Sequence, residues 1–386
     1  MMDQVMNRPR VLLVAVGGYG VNFLNEMTQR DTGADIAGIV EVMPNIEEIC
    51  PVIRERHIPV YATMDDFYAV DRADLAVLSS PIHLHTQMVI CTLEHGSHVL
   101  CEKPLCLTED EAHEMEAAAR KAGKFLAVGY QFNYQRDVWA LKKDILSGRF
   151  GKPVRMEVVH AMRRGRKYYT RNNWAGAITS GGHEVFDSPF TNACAHYFQL
   201  MTFFLGKDMR SACGITGVTA ELYRGNPALE NFDTAAMRFD TDCGAPIFYY
   251  TSHALYAKKL GPWGVFEFEN ATVTFGPGST TFKAVYKDGT EIDYGTVHPG
   301  ERMQKLYDAI ECVKNGGVPI CGTEAEYPHI RAVRLVQTCP VKDVAEENCY
   351  MVEEDGDVFR CIRGLEEIFE SSARSWKLPS EMGYTL

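Results

Sequence analysis

The sequence predicts an α/β domain built on a doubly wound parallel sheet, followed by an α+β domain built on a largely antiparallel one. Three observations carry this. The first third alternates short unbroken apolar runs with amphipathic stretches, the pattern of parallel strands buried on both faces. After Gly129 the rhythm changes to long stretches of alternating character, as in a sheet with two unlike faces. And 386 residues exceed what one hydrophobic core organises, so two domains are expected, 1–130 and 131–386.

The elements follow in order. Residues 11–16 are all apolar and form the first strand; glycines and a helical pattern through Phe23, Leu24 and Met27 come next. Strands at 36–40, 75–78, 98–101 and 125–128 continue the series, with short elements near Val60 and a helix over 84–94. Thr108-x-x-Glu111 is a capping box for a helix that ends near Gly123. A helix over 135–146 stops at Gly148, Gly151 and Pro153. Alternation then marks strands at 154–160, 212–222, 234–239, 246–253, 265–275 and 280–286. One strongly apolar helix interrupts them, with Ser188 suited to its N-cap and Pro189 to its first turn. Helices near 302–314, 324–336 and 365–375 complete the chain.

Composition excludes several classes. A net charge of −12 without a basic run disfavours nucleic acid and anionic membranes as partners. No apolar stretch approaches the length of a membrane span, and the start, MMDQVMNRPRVLLVAVGG, lacks the form of a signal peptide, so a cytoplasmic protein is expected. The 12 cysteines form no C-x-x-C pair, and no metal site is expected.

Ala15-Val16-Gly17-Gly18-Tyr19-Gly20 matches G-x-G-x-x-G with alanine in the first glycine's place. The second glycine lets backbone approach a pyrophosphate, and the third lets helix and strand pack closely. Glu41 ends the second strand, where an acid binds ribose hydroxyls and repels a 2′-phosphate, so NAD is the expected cofactor. Ser79, Pro81 and His85 follow another strand end, and Glu102 and Lys103 a third, all at the carboxyl edge where such sheets bind ligands. Lys103 suits a substrate hydroxyl near the nicotinamide; the plainer reading is a solvated lysine at a strand end.

Further on, Asn192 and His196 are four residues apart on the apolar helix, with Gln199 close to that face. A polar stripe there needs a ligand or internal partners, and a satisfied core histidine is the plainer alternative. Residues 163–176, RRGRKYYTRNNWAG, are dense in donors and rings, which suits a sugar: rings pack on its apolar faces and donors fix its hydroxyls. An exposed charged loop is the competing reading.

Taken together, AVGGYG, SSPIHLH, LEHGSHVLCEKPL, VGYQFNY, SGRFGKPVRM, GGHEVFDSPFTNACAHYFQLMTFFLG and GGVPICGTEAE resemble the Gfo/Idh/MocA oxidoreductase family, over about residues 10–340. The resemblance implies a Rossmann domain and an open-faced antiparallel sheet that supplies the substrate site and an interface between subunits of a homo-oligomer. It implies oxidation or reduction of sugars, inositols and related polyols at a secondary alcohol, a catalytic role for Lys103, and a cis bond before Pro104. One departure matters: where the family carries D-x-G-x-H, this chain reads Asn192-Ala193-Cys194-Ala195-His196, and a later aspartate reads Gln199. A relay through an acid then needs another partner, such as Asp187.

RNNWAG…DSPFTNACAH resembles a branch that acts on glycosides, some members oxidising C3. The expectation is NAD-dependent oxidation of a sugar or glycoside hydroxyl, with His196 taking the proton and Lys103 bonding the same oxygen. Tyr130, Asn133, Arg163, Tyr169, Arg171, Asn172, Asp187 and Asn192 are expected to contact the substrate. Gln131 and Trp174 are assigned to the cofactor, Trp174 also to the sugar. Two alternatives stay open: a redox-neutral enzyme that retains NAD, and a non-catalytic NAD sensor.

Overall fold

The computed structural model describes residues 8–276, 281–296 and 302–386. The opening heptapeptide and Thr280, the first residue of one expected strand, lie outside the described residues. The chain divides into two compact units, 1–134 with 299–326, and 135–298 with 327–386. The expectation placed the boundary at 130 and all later residues in one domain; 299–326 groups with the first unit, and 327–386 with the second.

The first unit is a six-stranded parallel sheet of β1 (Arg10–Val14), β2 (Asp35–Val40), β3 (Val60–Tyr61), β4 (Leu75–Leu78), β5 (His98–Cys101) and β6 (Leu126–Val128), in the order β3-β2-β1-β4-β5-β6. Strands β1, β4 and β5 are almost wholly buried, as their apolar runs require. Thr108 caps its helix reciprocally with Glu111, and Gly123 ends it at φ 65°, in the left-handed region glycine adopts without strain. The helix Gln304–Asn315 adds Leu306, Ala309 and Ile310 to the core formed by Val11, Leu13, Phe23 and Ile39.

The second unit is built on a nine-stranded sheet. Its strands are β7 (Pro153–Met162), β10 (Ile215–Arg224), β11 (Thr234–Thr241), β12 (Ile247–Ser252), β13 (Lys259–Phe268), β14 (Ala271–Phe275), β15 (Thr281–Tyr286), β16 (Glu291–Thr296) and β17 (Val341–Asp343). All neighbours pair antiparallel except β7 with β12 and β10 with β17. A two-residue pair, β8 (Thr179–Ser180) with β9 (His183–Glu184), and a hairpin, β18 (Cys349–Glu354) with β19 (Asp357–Ile362), stand apart from it. No helix among the described residues is long and apolar enough to cross a membrane.

Alternation along the strands gives the sheet two apolar faces. One packs Tyr249, Phe239 and Phe275 against Phe190, Phe198 and Tyr197 of the apolar helical segment. The other carries Val159, Ala161, Tyr223, Ala236, Phe248 and Tyr250. The expected opening on this face is partly filled by the chain's own tail: Leu365, Phe369 and Ala373 of the helix Leu365–Arg374, and Leu378, join the same core. The Tyr250 hydroxyl donates to the Lys377 carbonyl at 2.8 Å, and Arg155 lies 3.9 Å over the Trp376 ring.

Candidate active site

In the first unit the strand order reverses between β1 and β4, the point outside which open parallel sheets bind ligands. The turn after β1 holds Ala15 at φ 63°, so the alanine takes the first glycine's conformation as well as its place. A Cβ on Gly20, at the start of the helix Val21–Gln29, would lie 2.3 Å from the Ala15 carbonyl oxygen, whereas Gly18 faces open space. Gly17 donates its N–H to Glu41 at 2.8 Å, and the other Glu41 oxygen accepts from Val42 and Met43 at 2.9 and 3.1 Å. The acid is thereby pinned beside the glycine turn, next to a cavity of about 550 Å³ lined by Glu41, Met43 and Tyr61. Tyr19 is half-exposed, its ring 5.0 Å from the Lys305 ammonium.

After β4 the hydroxyl oxygens of Ser79 and Ser80 are buried with no hydrogen-bond partner among the described residues. Buried polar atoms of that kind are rare unless a ligand or water meets them. An open position at Gly18, a pinned acid, a cavity beside it and two orphaned hydroxyls at the reversal point fit a dinucleotide. Pro81 leads a 3₁₀ turn, Ile82–Leu84, which ends at His85.

His85 departs from the expectation. Its ring is buried, with Nε2 2.8 Å from the Ser80 carbonyl and Nδ1 3.0 Å from those of Pro104 and Leu105. Both nitrogens are spent on main chain, so the histidine locks the serine turn to the Lys103–Pro104 turn and offers neither nitrogen to a ligand. Burial lowers its pKa, opposed by those carbonyls.

Lys103 is partly buried and its bond to Pro104 is cis. Glu102, expected near the cofactor, is held by a partner the sequence did not indicate: Lys305, wholly buried, makes an ion pair with it and donates to the Gly129 carbonyl at 3.0 Å. Burial pulls the lysine pKa down, but the charges of Glu102 and Tyr19 outweigh it and the net shift is upward. Gln131 begins a 3₁₀ turn, Gln131–Tyr134, and is partly exposed. Tyr130 and Asn133, expected at the substrate, are fully buried. Asn133 donates to Cys321 Sγ at 3.4 Å, and burial followed by the charge of Glu326 raises the Tyr130 pKa well above its usual value. These contacts anchor both side chains inside the first unit.

In the second unit Ser188 caps as expected, accepting from the Thr191 N–H at 3.1 Å. The helix it opens is not continuous. Pro189–Ala193 is a π turn, Cys194 breaks the geometry at φ −109°, and the α-helix runs Ala195–Phe204. The four-residue spacing that put Asn192 and His196 on one face presumes an unbroken α-helix, so it does not transfer across this break. Asn192 donates to Asp187 at 2.9 Å, and the other Asp187 oxygen accepts from Gly176 at 2.7 Å.

The 163–176 segment divides by role. Arg163 is buried, paired with Glu354, donating to the Tyr256 carbonyl at 2.8 Å and lying 4.2 Å over Phe359. It ties β7 to the β18–β19 hairpin, so the expectation of a sugar contact is corrected: its charge and donors are consumed by protein. Asn172 accepts from Trp174 and Ala175 at 3.2 and 2.8 Å, which makes it a turn former. Arg171 is exposed and stacks 3.5 Å over Tyr168 and 5.1 Å from Trp174. Tyr169 meets His253 Nδ1 at 3.0 Å and lines a cavity of about 470 Å³.

His160 and His253 were missed. Both are polar positions within apolar strand sequence, VVHAM and YYTSHAL, which is the signal that could have found them. His160 is pushed down to about 4, by burial and then by Lys259. Where no metal was expected, Cys213, Asp242 and Cys243 bring their donor atoms within 4.8 Å of one another, and a hydrogen bond from Cys213 lowers the Cys243 thiol to about 6.

Residues 9–130 match the family model of the Gfo/Idh/MocA oxidoreductases, described as NAD-binding Rossmann fold. The chain is 36% identical over 89 residues to 1,5-anhydro-D-fructose reductase of Ensifer adhaerens, covering 23% of this chain and 27% of that protein. It is 33% identical over 93 residues to D-glucoside 3-dehydrogenase of Escherichia coli, covering 24% and 26%. The chain spans about a quarter to about half of the length of such curated relatives. Among solved structures, WlbA dehydrogenase from Bordetella pertussis, crystallised with NADH and UDP-GlcNAcA, shares the fold at a TM-score of 0.69 and 22% identity, over 85% of this chain and 94% of that one. With its strand order and pinned acid, the segment 9–130 is similar to the NAD-binding Rossmann fold of the Gfo/Idh/MocA oxidoreductase family.

Proposed function

We propose that the chain is an NAD-dependent oxidoreductase that oxidises a secondary hydroxyl of a sugar or glycoside, at C3, to the keto sugar. The observation that carries this is the Asp187–Asn192 hydrogen bond. The family's acid is absent at Asn192, yet a buried carboxylate stands one side chain away, in the turn that leads to His196. The partial likeness to D-glucoside 3-dehydrogenase supports the position of oxidation.

Bound NAD supplies the hydride acceptor. Glu41 takes the ribose hydroxyls, and Ser79 with Ser80 meets the cofactor where the strand order reverses. His196 takes the hydroxyl proton, Lys103 bonds the same oxygen and shares its developing charge, and Asp187 acts through Asn192 to orient the polar groups of the helix opening. The Asn192 carboxamide cannot relay a proton, so Asp187 is a positioning residue.

The test is a panel of sugars and glucosides with absorbance at the reduced nicotinamide band and mass analysis of the product. Lys103→Met and His196→Ala are each expected to lose about 100-fold or more in kcat, the range of general acid–base catalysis. Asp187→Asn is expected to lose less and to shift the pH profile. Full turnover in both Lys103→Met and His196→Ala overturns the assignment.

A further inference from the structure

The cavity lined by Tyr169 has an electrostatic character that a neutral sugar does not use. Four pieces of chain build it: the segment after β7 with Arg164, Arg166 and Tyr169, the connection between β10 and β11 with Asn226 and Asp233, the residue after β12, His253, and the β18–β19 hairpin with Met351 and Arg360. Its volume, about 470 Å³, is that of a small-molecule site.

His253 is 2% exposed, and its Nε2 is buried with no hydrogen-bond partner among the described residues. Where Tyr169 donates to Nδ1, the neutral ring holds its proton on Nε2, which is then a donor. Arg164 has a buried Nε without a partner as well. Its guanidinium and that of Arg171 lie 4.9 and 3.5 Å from the Tyr168 ring, and the His253 ring sits 5.3 Å from it.

The acid in the lining is already satisfied. Asp233 accepts from Gly225 and Asn226 N–H at 3.1 and 2.8 Å and from Thr234 Oγ1 at 2.9 Å. Arg360 is neutralised by Glu346. Asp357, beside Gly165, accepts from the N–H groups of Lys167 and Val358. Of the arginines that line the cavity, neither Arg164 nor Arg166 forms an ion pair with a carboxylate among the described residues, though the Asp357 charge acts on Arg166. Orphaned polar atoms together with guanidinium groups held in no ion pair favour an acceptor that bears negative charge.

We propose that this cavity binds an anionic oxygen group of the substrate, a carboxylate or phosphate carried on the sugar or its aglycone, so that the preferred substrates are acidic sugars. The proposal rests on the reading of the chain as a sugar oxidoreductase and names the substrate class for it.

Calorimetric binding to the full chain tests it, with 4-nitrophenyl glucuronide, glucose 6-phosphate and the neutral 4-nitrophenyl glucoside as probes. At least one acidic probe is expected to bind about tenfold or more tightly than the neutral one, within the range for charge-assisted hydrogen bonds. Which acid binds separates carboxylate from phosphate. In Arg164→Gln/Arg166→Gln, with its fold checked by circular dichroism, that preference is expected to vanish; Arg166→Gln alone, at an exposed position, keeps the test open if the double variant misfolds, and is expected to reduce it several-fold. Equal affinities in the parent protein, or a preference undiminished in the variants, overturns the proposal. Binding is read without turnover: an absence of hydride transfer from any sugar to NAD would sink the oxidoreductase reading while leaving this measurement intact.

Discussion

Glu157 links pH to the stability of the second unit in a calculable way. It lies on β7 between Arg155 and Val159, on the sheet face that the helix Leu365–Arg374 covers, 1% exposed, and its Oε2 has no hydrogen-bond partner among the described residues. Burial raises its pKa from 4.5 to about 8, with Arg155 opposing. The folded chain therefore holds the protonated acid at neutral pH while the unfolded chain ionises near 4.5. The associated stability is fully present below 4.5 and is lost as pH rises through about 8. Each pH unit within that window costs about 1.4 kcal/mol. Between pH 5 and 8 the predicted loss is roughly 3 kcal/mol, a large fraction of a domain's stability. Glu157→Gln keeps the shape and removes the titration. Urea unfolding of both proteins at pH 5, 6, 7 and 8 should give curves that diverge with pH, the variant gaining on the parent by roughly 3 kcal/mol across the range. Parallel curves, with a constant difference across the four pH values, would refute the assignment of a buried neutral acid.

Two further perturbations address the first unit. Gly20→Ala places a methyl 2.3 Å from a main-chain oxygen and is expected to weaken NAD binding at least about tenfold, whereas Gly18→Ala, with open space, folds normally; titration of intrinsic fluorescence with NAD reads both. Lys305→Met leaves Glu102 buried without its cation, and a loss of about 3–5 kcal/mol in unfolding free energy is expected, against near-neutrality when Glu102→Gln is added.

What could be read in the sequence was local. The parallel strands announce themselves as apolar runs, and the Thr108 and Ser188 caps need only three residues of context. The glycine turn and Glu41 were legible because motif and strand end sit about two dozen residues apart in one supersecondary unit. Lys305 was not legible: it meets Glu102 across 203 residues, and no periodicity encodes such a return. Arg163 was misassigned because a cation among rings and donors looks the same in sequence whether it faces a sugar or, as here, a glutamate 191 residues away. The π turn before Cys194 hid for another reason: helix spacing assumes 3.6 residues per turn, and Pro189–Ala193 departs from it.

The tail helix has a consequence for how the chain is made. β7 ends at Met162, and the residues that cover its apolar face begin at Leu365, some 200 positions later. A ribosome adds roughly 5–20 residues per second, so that face stays bare on the nascent chain for on the order of ten to forty seconds. Val159 and Ala161 are exposed to chaperones and to neighbouring chains for that interval, and Phe248 and Tyr250 for about half of it. The helix Leu365–Arg374 and Leu378 cover that face, which makes their synthesis, and not the completion of the sheet, the point at which the face is protected from aggregation.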